Sequence, residues 1–174
     1  APGLLVEQVV AHFGGLDLLV NSAAVMNRLP LETVTEAEWD ETFAVNARAP
    51  FFLSLAAARV MGERGGAIVS IGDHLAHESW PLLVPHAVSK GAVETMTRQL
   101  AAQFAPRVRV NAVVPGAVLA PEGWPAAARQ KFIDGTPMQR LGVPDDVAQA
   151  VVYLASASYV TGEVLFVDGG RHLR

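Results

Sequence analysis

Residues 65–90 read GGAIVSIGDHLAHESWPLLVPHAVSK, and the change of pattern inside this stretch decides the fold. Ala67-Ile68-Val69-Ser70-Ile71 is a short, almost continuously apolar run after a Gly65-Gly66 turn, the form of a strand covered on both faces. After Pro85, whose fixed φ suits the first turn of a helix, apolar side chains recur at Val93, Met96, Leu100 and Phe104. A strand, a polar and aromatic loop, and a long helix therefore follow one another. In that frame His86 and Lys90 share one helical face a turn apart, and Asp73 lies thirteen residues before His86, just past the strand.

The same alternation extends outward in both directions. Leu5, Val6, Val9, Val10 and Phe13 have helical spacing, and Gly14-Gly15 stops that helix. Leu16 to Val20 is the next apolar run and ends in Asn21-Ser22. Thr35 with Glu38 forms a capping-box pattern ahead of Trp39 and Phe43, opening a long helical segment to Met61 that Pro50 kinks or interrupts. Beyond the central helix, Val108 to Val113 and Val164 to Val167 read as strands, with a helix from Pro144 to about Ala155 between them, where Asp145-Asp146 serve as caps. Short strands alternating with helices argue for parallel pairing in an open α/β sheet, a Rossmann-like doubly wound arrangement forming a single domain over residues 1–174. Such sheets bind ligands beyond the carboxyl ends of their strands, which points to Asn21, Asp73 and Pro115-Gly116. The Pro- and Gly-rich segment 117–140, with Trp124 in it, reads as a mobile lid.

Composition narrows the function classes. The chain has 174 residues, 51% of them hydrophobic and 17% charged, enough for a real core. It contains no cysteine, which excludes disulfide frameworks, thiolate nucleophiles and cysteine-based metal sites, and fits a reducing cytoplasm. A net charge of -4 offers no footprint for nucleic acid, and Ala49 to Ala58 is too short an apolar run for a membrane span. Ala1 to Val10 lacks the basic start of a signal peptide, so a soluble cytoplasmic domain is expected. His74 and His77 beside Asp73 have no third ligand at metal spacing, so no metal is expected. No G-x-S-x-G nucleophile elbow accompanies Ser79 or Ser89.

Asn21-Ser22-Ala23-Ala24, Asn46, Asp73, His86 to Lys90, Pro115-Gly116 and the ending Thr161-Gly162 to Asp168-Gly169-Gly170, in this order, resemble the short-chain dehydrogenase/reductase family over essentially the whole chain. In that family a serine, a tyrosine and a lysine reduce carbonyl or imine groups with a nicotinamide cofactor, and an asparagine completes a proton relay. Here the serine position is Asp73 and the tyrosine position is His86. Aspartate there is similar to the pteridine reductase branch, as are Gly72 to Ala76, Val108 to Asn111, Pro115 to Ala117 and Ala120-Pro121-Glu122. The resemblance implies NADPH-dependent reduction of a dihydropterin C=N bond, with Asp73, His86, Lys90 and Asn46 catalytic. It implies cofactor contacts from Asn21, Ser22, Ala23, Ala24, Asn46, Ile71, Lys90, Pro115, Gly116, Ala117 and Val118. It also implies a homo-oligomer, dimer or tetramer, through the helices at 36–61 and 86–104 and the last strand.

Two departures qualify that expectation. A cation beside a tyrosine draws its pKa down from about 10, whereas beside a histidine, ordinarily near ~6.5, it favours the neutral ring and weakens the acid. Impaired reduction is therefore expected, with Asp73 as the remaining acid if burial keeps it partly protonated. The family's glycine-rich pyrophosphate turn, which precedes the part matching Leu16 to Val20, is absent, as is the βαβ unit that carries it, so a fragment of a longer protein is expected. A catalytically silent subunit and a ketoreductase are the competing functions. Trp80, Trp124 and Met138 are candidate walls of a flat substrate pocket.

Overall fold

The computed structural model describes residues 2–119 and 123–174. Strands β1 (Leu18–Asn21), β2 (Gly66–Ile71), β3 (Val108–Pro115) and β4 (Val164–Val167) lie side by side in chain order, all parallel. The connections carry helices α1 (Pro2–Phe13) before β1, α2 (Glu36–Phe43) and α3 (Ala49–Met61) before β2, α4 (Val84–Phe104) before β3, and α5 (Ala126–Asp134) and α6 (Pro144–Ser156) before β4. Helices cover both faces, as a Rossmann-like sheet requires. The reversal of strand order that makes such a sheet doubly wound does not occur among these four strands.

The two sides of the core follow from the alternation of side chains along the strands. On one side Ile68 and Val110 pack with Ala57 and Met61 of α3 and with Leu100 and Ala101 of α4. On the other, Val69 and Val113 meet Leu154 of α6, which is 0% exposed. Leu19 belongs to the first side. Its neighbours Leu18 and Val20 therefore face the second, where α6 contacts β2, β3 and β4, and they remain 38% and 39% exposed. Two polar residues inside β3 serve the same packing. Arg109 donates from Nη1 to the Leu154 carbonyl and from Nη2 to the Ala155 carbonyl, satisfying the C-terminal end of α6. Asn111 donates to the Val160 carbonyl and accepts from the Glu163 N–H, so the buried amide ties β3 to the approach to β4.

The local signals in the sequence mostly act as expected. Gly14 takes φ +80 after α1 and returns its N–H to the Val10 carbonyl at 2.8 Å. Thr35 and Glu38 form the reciprocal capping box. Asp146 accepts from the Val143 N–H at 2.8 Å ahead of α6. Strand β1 runs Leu18–Asn21, not Leu16 to Val20, because Leu16 packs into the core without pairing while Asn21 pairs with Ser70. Strand β3 extends to Pro115, since Ala112 to Pro115 pair with β4.

Pro50 interrupts its helix in a specific way. A proline cannot return an N–H to the residue four before it, here Asn46, and its ring crowds that turn. The chain relieves the conflict with a π-helical turn, Ala44–Arg48, closed by the Ala49 N–H on the Ala44 carbonyl. Asn46 sits in the middle of that widened turn, 1% exposed.

Because Leu154 is the single α6 side chain fully enclosed against β2 and β3, Leu154→Ala should cost about 2–5 kcal/mol of unfolding free energy. Urea titration followed by circular dichroism measures it; a loss under about 1 kcal/mol would mean that α6 is not part of the core.

Candidate active site

The carboxyl ends of the strands place four separate segments around one buried ring, the imidazole of His86, which is 3% exposed. Pro85 stands in the first turn of α4 as its chemistry predicts, so His86 points back from the helix start toward the sheet edge. The Nδ1 atom lies 2.9 Å from the Val25 carbonyl, in the segment after β1. The Nε2 atom lies 3.1 Å from Asp73 Oδ2, just after β2. Asn46 clasps the Val25 backbone from both directions: its Oδ1 accepts from the Val25 N–H at 2.8 Å and its Nδ2 donates to the Val25 carbonyl at 2.9 Å. Nδ2 also donates to Ser89 Oγ at 3.0 Å, which uses both amide protons.

These contacts set the polar surroundings of the ring. A carbonyl oxygen can only accept, so Nδ1 carries a hydrogen. Burial pushes the Asp73 pKa up, but hydrogen bonds from His74, His86 and the Leu75 N–H, with the nearby His74 charge, outweigh it and hold the carboxyl well below the usual range. Asp73 is thus an acceptor, and its Oδ2 faces His86 Nε2. The expectation of a partly protonated Asp73 acting as the acid by itself is overturned, because three donors converge on its two oxygens. Lys90, expected to act on the ring through its charge, makes its hydrogen bond elsewhere. Lys90 Nζ donates to the Ile71 carbonyl at 2.8 Å, and the charge hydrogen-bonded to His86 is a carboxylate. Burial pushes the Lys90 pKa below its ordinary value, with the Asp73 charge opposing that shift.

The other predicted residues occupy the same edge with different surroundings. Asn21 donates to Ser54 and Ser70 at 3.2 Å each, and its Oδ1 is buried without a partner among the described residues. Ser22, Ala23 and Ala24 are exposed after β1. Pro115 ends β3 and accepts through its carbonyl from His74 Nδ1 at 3.3 Å. Gly116 passes so close to the Asp168 backbone that a Cβ would stand 2.9 Å from Asp168 Cα. With Ala117 and Val118 it lines a cavity of about 270 Å³ that also holds Met138. Met138 is therefore not in the wall shared by Trp80 and Trp124, which line a second cavity of about 690 Å³. The segment 117–140 is not loop throughout, since α5 occupies its middle; the Ala120-Pro121-Glu122 motif lies outside the described residues. His74 and His77 turn to different carboxylates, Asp73 and Glu94. Among the described residues no cluster of three metal-ligating side chains forms.

Several contributors were not read from the sequence. Val25 acts through its backbone and has no side-chain signal. Glu94 did have one: it follows His86 and Lys90 at the next helical turn, is 4% exposed, and accepts from His77 Nε2 at 2.7 Å. Arg171, from the chain's end, pairs with Glu78 and lies 3.8 Å over the Phe132 ring.

Comparisons with known proteins identify the family. The family model described as enoyl-(acyl carrier protein) reductase, of the short-chain dehydrogenase type, matches residues 4–172. The 3-oxoacyl-(acyl carrier protein) reductase of Thermotoga maritima is 36% identical over 95% of this chain and 70% of its own length. The solved structure of a gluconate 5-dehydrogenase from Burkholderia cenocepacia, in complex with NADP and tartrate, superposes with a TM-score of 0.92 at 30% identity, covering 99% of this chain and 71% of that one. A Brucella melitensis structure titled as a short-chain, glucose/ribitol dehydrogenase has a TM-score of 0.90 at 31% identity, with 98% and 71% covered. The chain belongs to the short-chain dehydrogenase/reductase family and is an oxidoreductase of that family. It spans about 70% of the length of these relatives. No helix among the described residues is long and apolar enough to cross a membrane.

The lowered Asp73 pKa has a stability consequence. A depressed carboxyl contributes stability that is present above its unfolded value, about 3.9, and is lost as pH falls toward the folded value. The melting-temperature gap between the parent and Asp73→Asn should therefore be largest at about pH 6 and narrow toward about pH 2. A gap independent of pH would count against an ionised Asp73.

Proposed function

We propose that this chain is an NADPH-dependent carbonyl reductase in which His86 and Asp73 together replace the family's tyrosine and serine. The observation that carries the reading is the pair of acceptors around His86, the Val25 carbonyl and Asp73 Oδ2, a setting that suits the ring to act as a proton donor. Lys90 suits a nicotinamide ribose: one of its three N–H donors is spent on the Ile71 carbonyl, and two remain for hydroxyl groups. Asn21, Ser22 to Ala24, Ile71 and Pro115 to Val118, along the same sheet edge, are the remaining candidates to hold the cofactor, and Asn46 positions the Val25 peptide that faces His86. When bound, the nicotinamide supplies a hydride with its electron pair to the carbonyl carbon.

The remaining work belongs to the protein. The Nε2 proton passes to the carbonyl oxygen, giving the alcohol, and Asp73 stabilises the charged ring until that moment and orients it afterward. Asn46 and Ser89 fix the ring's neighbours, so the donor does not have to be ordered during reaction. Trp124 and Phe132, packed edge to face, cover the substrate side. The relatives' names, a 3-oxoacyl reductase and sugar-acid or polyol dehydrogenases, support a carbonyl substrate. Reduction of a pterin C=N bond is the second reading, favoured by aspartate at position 73 and the flat rings of Trp80 and Trp124. Phe51, Phe52 and Val88, at 37%, 49% and 47% exposed on α3 and α4, support a homo-oligomer with a mass that is a multiple of 18.4 kDa.

Asp73→Ala and His86→Phe should each lower kcat/KM for NADPH-linked ketone reduction by about 10²- to 10⁴-fold, and the double variant should be no worse than the poorer single one. Multiplying losses would show that the two side chains do not act as a unit. The same NADPH oxidation assay with a dihydropterin beside 3-oxoacyl thioesters and hydroxyketones decides the substrate: turnover of the pterin alone would replace the carbonyl reading. Analytical ultracentrifugation should find dimers or larger species, with Phe52→Glu shifting them toward monomer; a parent that sediments as a monomer would remove the oligomer proposal.

A further inference from the structure

The cavity of about 690 Å³ has a chemical bias of its own. Its walls combine the rings of Trp80, Trp124 and Phe132 with Lys131, Arg171 and Arg174, and Glu78 is the one carboxylate side chain among the described lining residues. Phe132 is 7% exposed and acts as the floor, with His74 at 5.9 Å and Trp124 at 5.7 Å, both edge-on, and the Arg171 guanidinium over its face. Glu78 is committed to Arg171, which holds the Glu78 carboxyl below its ordinary pKa. That pairing neutralises the one acid. Arg174 donates to the Asp134 carbonyl, and Lys131 makes no salt bridge, so neither is balanced by a carboxylate among the described residues.

The cavity adjoins the proton pair. His74 forms part of its wall while its Nδ1 lies 3.2 Å from Asp73 Oδ1. The smaller cavity beyond β3 and β4 lacks this bias, because its Arg140 is paired with Asp146 and Asp168 is also in its lining. An uncompensated cation at the rim of a cleft walled by low-dielectric rings favours a ligand of opposite charge.

We propose that this pocket selects an organic anion, a flat ring carrying both the reacting carbonyl and a carboxylate, with Trp80 and Trp124 holding the ring and Lys131 and Arg174 the carboxylate. The inference deepens the carbonyl reductase reading and rests on it for the reaction, but the binding itself does not require turnover. 4-Formylbenzoate and its neutral counterpart 4-formylbenzamide are the probes, titrated by calorimetry into the full chain with NADP⁺ present.

The carboxylate should bind at least about tenfold tighter, equivalent to about 1.4 kcal/mol. Lys131→Met should reduce that ratio to about threefold or less, and Glu78→Gln, which frees Arg171, should increase it. Opposite effects separate charge selection from structural damage, since damage would weaken both ligands in both variants. Equal affinity of the two probes, failure of both to bind, or a ratio unchanged by Lys131→Met would overturn the proposal. NADPH oxidation with each aldehyde distinguishes the two levels. A binding preference without turnover supports the anion pocket and removes the reductase reading. Turnover of both aldehydes with equal Kd and equal kcat/KM removes the anion pocket and leaves the reductase reading.

Discussion

The His86 ring lies between two groups that can only accept hydrogen bonds, and the rest of the site follows from satisfying it. The Val25 carbonyl serves Nδ1, and the Asp73 carboxylate serves Nε2. A buried imidazole with an unpaired nitrogen would cost the full desolvation of that group, so the segments after β1 and β2 must both approach the start of α4. Asn46 makes the first approach possible by holding the Val25 peptide on both sides, and the π-helical turn ahead of Pro50 brings Asn46 there. Asp73 makes the second approach through a network that also takes the Leu75 N–H and His74. These contacts converge where parallel strands bring their carboxyl ends to one edge.

Replacing a phenol by an imidazole changes the logic of proton supply. A phenol needs a cation to become a competent acid near neutrality, whereas an imidazole needs an anion to retain its second proton. In this chain the anion is Asp73 at the usual serine position, and Lys90 sends its ammonium to the Ile71 carbonyl. The two departures from the family pattern are thus one change made at two positions. Neither aspartate with a tyrosine nor histidine with a serine would give the same paired proton.

The fold was legible because its signals are local and repeated. Apolar runs of about five residues, bounded by Gly65-Gly66 or by Asp168-Gly169-Gly170, can be buried on both faces only in a covered parallel sheet. Thr35 with Glu38, Pro85 and Gly14 mark helix ends by their own chemistry. The positions Asn46, Asp73, His86 and Lys90 were legible from spacing and family resemblance. Their bonding was not. A lysine one turn from a histidine on the same helix is adjacent in sequence logic, yet the side chain follows the nearest free carbonyl, which β2 supplies. Val25 was invisible for a simpler reason: a backbone carbonyl carries no residue identity.

The sequence by itself determined the alternation of helix and strand, the parallel sheet, the family and the side chains available at its edge, because each depends on periodicity, turn chemistry or short spacings. Tertiary structure decided which groups meet at the site and how the charges of the pocket beside it are paired. Burial by itself would have driven the Asp73 carboxyl up; the neighbouring His74 and Leu75 N–H, together with His86 from the start of α4, hold it down instead. Lys131 makes no ion pair with a described residue in the pocket, whereas the charge of Arg171 is balanced by Glu78, a residue 93 positions earlier in the chain. Both outcomes depend on distances between segments remote in sequence, which only the packed sheet and its helices set.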